Sequence, residues 1–199
     1  MRLRPLAVMR RCRDDREGVT AVEFAMAGPV LIVLLLGIFD IGHMTYMTAV
    51  LHGAVQRVAR NSALEAADTK TQDAYVTKAV QQVAPGSDVK TTRKSYYDFN
   101  NIDRPESWND KNNNGTCDNS EIYTDENKNG QWDADVGKSG NGGANDVVVY
   151  TVSVTYSPLF PIPGLTNSKN QRTLTASAVK KNQPFALQNA VGSAAGSCK

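Results

Sequence analysis

The chain has 199 residues, 41% of them hydrophobic, and a formal net charge of +2, enough for one modest core and too little for two full domains. Near-neutral charge, without a basic stripe interleaved by aromatics, argues against a nucleic-acid partner. The residue types are segregated. Apolar residues gather near the N-terminus, and Asn, Asp and Gly gather between about Asp98 and Asp146.

Six arginines (Arg2, Arg4, Arg10, Arg11, Arg13, Arg16) precede residue 18, so the basicity belongs to the N-terminal tip. Val19–Phe39 is then a 21-residue apolar stretch broken only by Glu23. At 1.5 Å per residue it spans about 31 Å, the thickness of a hydrocarbon core. A secretory signal peptide is the rival reading, but Asp40-Ile41-Gly42-His43 follows the apolar run with no small-residue cleavage pattern. The arginines place residues 1–18 in the cytoplasm by the positive-inside rule, and the chain beyond about residue 40 outside. This predicts a single pass through a membrane, with an extracytoplasmic C-terminal part.

Glu23 is the unusual residue, because an ionisable group inside a span is costly unless paired. Cleavage after Gly18 would make Val19 a new N-terminus, whose ammonium would offset Glu23 carboxylates of neighbouring subunits in the bilayer. The plain alternative is that Glu23 marks the interfacial end of the helix. The run EGVTAVEFAMAGPVLIVLLLGIFDIG resembles the N-terminal signature of the TadE-like pseudopilins of the tight adherence (Flp, type IVc) pilus system. The resemblance implies cleavage of a leader, residues 1–18, by a prepilin peptidase, with Gly18 as the residue before the cut, Val19 as the mature N-terminus and Glu23 as the recognition and assembly carboxylate. It also implies other pilin or pseudopilin subunits and the inner membrane as partners. The C-terminal TASAVKKNQPF resembles the last strand and closing tail of the same family, with Gln183 where Glu is commoner.

Residues 19–41 are thus read as the transmembrane helix and 42–85 as an extracytoplasmic helical stalk. Val50, Leu51, Ala54, Val55 and Val58 form an apolar face, and a second amphipathic stretch runs from Thr71 to Ala84, capped by Asp68 or Thr69 and stopped by Pro85-Gly86. His43 and His52 lack partners at ligand spacing and read as ordinary helix residues. Residues 86–184 form a β-rich head. Asp146–Ser157 is its clearest strand, with Val148, Tyr150, Val152, Val154 and Tyr156 on one face. Gln171–Lys180 is its hairpin partner, Val89–Phe99 a weaker third strand, and residues 185–199 a flexible tail. The fold class is α+β: a long N-terminal helix followed by a small antiparallel, pilin-like sheet, with an Asp/Asn-rich insertion at 105–145.

Within that insertion Asp110–Glu121 satisfies D-x-[DN]-x-[DN]-G-x5-E at every specified position. Calcium takes six to eight oxygens, and Asp110, Asn112, Asn114, the Thr116 carbonyl, Asp118 and Glu121 supply them, while Gly115 permits the turn. Fifteen residues on, Asp125, Asn127, Asn129, Gln131 and Asp133 repeat the pattern, but the twelfth position is Val136. Asp135 is the nearest substitute, and a glutamate at 136 would be expected to complete the repeat. Arg104-Pro105-Glu106-Ser107 before and the Gly-rich 137–143 after exclude flanking EF-hand helices, so the loops look more like those of dockerins or thrombospondin type 3 repeats. A disordered polar insertion is the alternative. Cys117 and Cys198, facing an oxidising compartment, either pair or remain thiols.

No nucleophile elbow, phosphate loop, zinc site or carboxylate pair is visible, so no enzymatic activity is read. The expected function is structural: a minor pilin-like membrane subunit that assembles a tight adherence pilus and binds calcium in its head. The alternative is a membrane-anchored calcium-dependent adhesin that binds surface ligands directly.

Overall fold

The computed structural model describes residues 17–62, 68–118, 120–160, 170–184 and 194–198. Apart from Glu17 and Gly18, the segment expected to be a leader lies outside them, Cys12 included. One unbroken helix, α1 (Glu17–Ser62, 46 residues), opens the chain and passes through Pro29. It is about 69 Å long. Its first half is bare: Val22, Phe24, Met26, Val33 and Ile38 are each at least 61% exposed, whereas Met47, Leu51, Val55 and Val58 are at most 1% exposed. The change comes at Asp40, which is fully buried. This long apolar helix is compatible with a single-pass membrane anchor.

Helix α2 (Thr69–Val83) starts where the Asp68 carboxylate accepts the Lys70 N–H, and it buries Val76 and Val80 against α1. Gly86, at φ +78°, turns the chain into β1 (Asp88–Tyr96). The remaining strands are β2 (Ile122–Asp125), β3 (Lys138–Ser139), β4 (Val147–Tyr156), β5 (Arg172–Lys181) and β6 (Ala194–Ser197). They form two antiparallel sheets, one in the order β3-β1-β4-β5 and the other β2-β6.

The alternation in β4 buries Tyr150, Val152, Val154 and Tyr156 under the helices, together with Ala176 and Ala178 of β5. The fold is α+β as expected, a long apolar helix followed by a small antiparallel sheet. Within the segment expected to be a flexible tail, residues 185–193 lie outside the described residues, and Ala194–Ser197 pairs with β2.

The buried face of β5 begins and ends with a cation. Arg172 Nη2 lies 2.8 Å from Asp40 Oδ2, and Lys180 Nζ donates to the Ser62 carbonyl and, at 2.9 Å, to Asn141 Oδ1. β5 therefore runs beside the outer half of α1, fixed at both ends. Lys180 also supplies a donor to a carbonyl left over at the helix C-terminus.

Candidate functional site

Gly18 and Val19 lie in the first turn of α1, and Glu23 follows one turn later on its exposed apolar half. Val19 is 53% exposed. Nothing in the chain covers this end of the helix among the described residues.

The insertion is folded around a short ribbon rather than between helices. Asn109 N–H donates to the Ile122 carbonyl and Thr124 N–H to that of Ser107, so residues 107–109 close the first loop against β2. The preceding residues turn the other way: Glu106 N–H donates to the Asp133 carbonyl and Val136 N–H to that of Arg104. Residues 104–109 thus hold the ends of both loops. Trp108 and Trp132 meet edge to face, 5.2 Å apart, and the Trp132 indole N–H donates to the Glu106 carbonyl.

The two loops fold alike, residue for residue, at the fifteen-residue offset. Their first carboxylates, Asp110 and Asp125, each accept N–H groups from the fifth and sixth positions. Asn112 and Asn127 accept from the fifth position, Asn114 and Asn129 from the seventh, Thr116 and Gln131. Their amide groups donate to Asp118 in one loop and Asp133 in the other. The fourth and sixth positions are left-handed in both: Asn113 and Gly115, Lys128 and Gly130. Gly is the natural residue at such a φ.

The twelfth position separates them. Glu121 is 1% exposed, and its carboxylate accepts the Lys111 N–H at 2.8 Å and the Asp118 N–H at 3.4 Å, the second and ninth positions of its loop. In the second loop Val136 instead packs with Tyr96 and Val147. Asp135 turns away as well, accepting from Lys94, from the Tyr96 hydroxyl at 3.1 Å and from Gly137 N–H. Burial pushes its carboxyl up, but Lys94 and these donors outweigh burial and hold it below the usual range.

Glu106, fully buried, fills the vacant role. Its Oε1 accepts the Glu126 and Asn127 N–H groups at 2.8 and 3.2 Å, and its Oε2 accepts that of Asp133 at 3.2 Å. These are the second, third and ninth positions of the second loop, nearly the set that Glu121 engages in the first. Burial, foremost, and then the Asp125 charge push the Glu106 carboxyl up, against the pull of the three N–H groups. Sequence reasoning missed it because it lies nineteen residues before Asp125, where no linear loop pattern looks.

The donors are all oxygens of the hard type that calcium takes. Those that accept one hydrogen bond, such as both Asp110 oxygens and Asn112 Oδ1, retain a second lone pair, whereas Asn114 Oδ1, Asp125 Oδ1, Glu106 Oε1 and Asp133 Oδ2 each accept two. Among the described residues, no group of three or more His, Cys, Asp or Glu side chains is placed to hold a metal ion. Cys117, at the eighth position of the first loop, is joined by a disulfide to Cys198 beyond β6, their Cα atoms 5.7 Å apart. Cys198 N–H also donates to the Glu121 carbonyl, so β6 braces the first loop twice.

Residues 18–60 match the family model described as TadE-like protein, the family that the Gly18–Gly42 signature resembles. The match starts at Gly18 and ends two residues before the end of α1, so it covers the helix and leaves the head outside. It points to a pilin-like component related to the tight adherence pilus, with other pilus subunits as its general class of partner. No curated protein and no solved structure matches the chain.

Proposed function

Proceeding from the match over residues 18–60, we propose that this chain is a minor pilin-like membrane subunit that helps to assemble a tight adherence pilus, after a prepilin peptidase cuts it between Gly18 and Val19. The observation that carries the reading is that the matched segment begins at Gly18 and comprises the apolar half of α1, left bare by the rest of the chain. Such a face requires lipid or neighbouring helices around it. Glu23, one turn after Val19, stands where a new terminal ammonium of a neighbour would compensate its charge.

The head is proposed to bind two calcium ions, one per loop. Asp110, Asn112, Asn114, Thr116, Asp118 and Glu121 hold the first; Asp125, Asn127, Asn129, Gln131 and Asp133 hold the second, with Glu106 as its closing carboxylate. Without the ion these carboxylates repel one another, and Glu106 and Glu121 stay buried without a cation, a costly arrangement that a divalent ion relieves.

N-terminal sequencing of the protein recovered from its native membrane tests the assembly reading. The expected first residue is Val19. A chain still beginning near Met1 in a host with a working prepilin peptidase overturns it. Removing the gene from a piliated host then separates assembly from direct adhesion: lost pili support the former, and normal pili with lost attachment the adhesin reading.

A further inference from the structure

Beyond the span itself, the head carries a second apolar feature at the same level. Tyr156, at the end of β4, meets the His43 ring edge to face at 5.9 Å, and His43 Nε2 hydrogen-bonds the Val83 carbonyl at 3.2 Å. The chain leaves β4 there and heads back along α1 toward its apolar half. Leu159 and Phe160 consequently line an open groove of about 620 Å³ with Ile38, Phe39 and Tyr46. Leu159 is 63% exposed, Phe39 64% and Tyr46 60%. Among the described residues no Lys, Arg, Asp or Glu lines this groove, and the nearby Asp40–Arg172 pair is buried.

We infer that the tip at Leu159–Phe160 is a second lipid contact, lying in the outer interfacial layer of the bilayer beside Phe39. This rests on the reading of α1 as a membrane anchor. Because Val19–Phe39 measures about the thickness of the hydrocarbon core, Phe39 lies at its outer boundary, and side chains packed beside Phe39 lie at that depth. The groove adjoins the bare face of α1 at Ile38 and Phe39, with the His43 ring and the Tyr46 hydroxyl as the only polar side-chain groups among its described lining, so the medium that covers the helix covers the tip. Exposed Leu, Phe and Tyr at that level match the composition of interfacial contacts. The head then rests on the membrane at two points rather than standing off it on a stalk.

Site-specific photocrosslinking of the full chain, reconstituted at high dilution in vesicles of phosphatidylethanolamine and phosphatidylglycerol, tests this. Benzoylphenylalanine replaces Phe160, Val30 or Phe99 in turn. Phe99 follows the distal end of β1, beyond Tyr96, whose partner in β4 is Val147 at the end opposite Tyr156. Phospholipid adducts are expected at positions 160 and 30, several-fold above position 99. Labelling at 30 without labelling at 160 overturns the tip contact and leaves the anchor standing. Absence at both overturns the anchor and the tip together. An adduct from 160 to a second copy of the chain overturns lipid as its occupant.

Discussion

Asp40 and Arg172, 132 residues apart in the chain, form a buried ion pair 2.8 Å long at the point where α1 passes from its bare half into the core. An acid at the end of an apolar run reads in isolation as a mere boundary mark. In the fold it is what seats the first residue of β5, and with it the hairpin, against the helix.

Removing one partner of a buried pair leaves the other uncompensated and costs about 3–5 kcal/mol, whereas an apolar replacement of both is often far milder. Asp40→Ala should therefore destabilise the detergent-solubilised chain by that order. The Asp40→Ala/Arg172→Met double variant should recover much of the loss. Thermal unfolding followed by circular dichroism reads both, and equal losses in the two variants would show that the pair contributes nothing specific.

Calorimetric titration of the same preparation should show two calcium sites, each preferring calcium to magnesium, whose ideal cage is smaller and more rigid. Glu121→Gln should weaken one and Glu106→Gln the other, each by at least tenfold. Val136→Glu should not strengthen the second, since it would place a charge among Tyr96 and Val147 and cost several kcal/mol, on the order expected for an unpaired buried group. No calcium heat at all would reduce the insertion to a self-bonded polar loop.

Cys198→Ser should loosen the first loop more than the second. Cutting a bridge that spans 81 residues removes roughly 4 kcal/mol in the chain-entropy account. Proteolysis within 110–121 should accelerate under the same conditions that leave 125–136 resistant, and equal acceleration in both would remove the special role of β6.

Lys180 gives the fold a pH dependence of definite sign. Burial, and secondarily the Arg93 charge, pull its ammonium down to about 8 from an ordinary 10.5. Between those values the unfolded chain binds the proton and the folded chain does not, so stability rises with pH through that window. Above about pH 10 the trend reverses, because burial, with help from Asp135, pushes the Tyr96 hydroxyl up to about 12 while the unfolded phenol ionises near 10. Lys180→Met should flatten the rise in denaturant midpoints between pH 8 and 10.

Periodicity made α1, α2 and the three long strands legible, since each buries one face and its apolar residues recur at the helix or strand period. Met47 and Asp40 were not legible. The first sits a turn before the expected face, and the second is buried only because Arg172 arrives from a distant strand. The first loop was readable because all the groups proposed to hold calcium there are local. Glu106 was not, because its role depends on the 104–109 segment pairing with both loops, a relation between hydrogen-bonded backbones that no residue pattern records. Val136 betrayed the gap without revealing what fills it.

The two buried cations of β5 have a mechanical consequence. Arg172 and Lys180 are eight residues apart, about 27 Å of strand, and their anchors Asp40 and Ser62 are 22 residues apart, about 33 Å of helix. Strand and helix therefore run nearly alongside, in the same direction. A force drawing α1 out along its own axis is delivered lengthwise to β5, and from there to its ladder with β4 across all ten paired residues. Bonds loaded in shear share the force and yield together, whereas bonds loaded crosswise would peel one at a time. Tension on the helix is thus resisted by the broad middle of the sheet, and its narrow edge at β3 is spared.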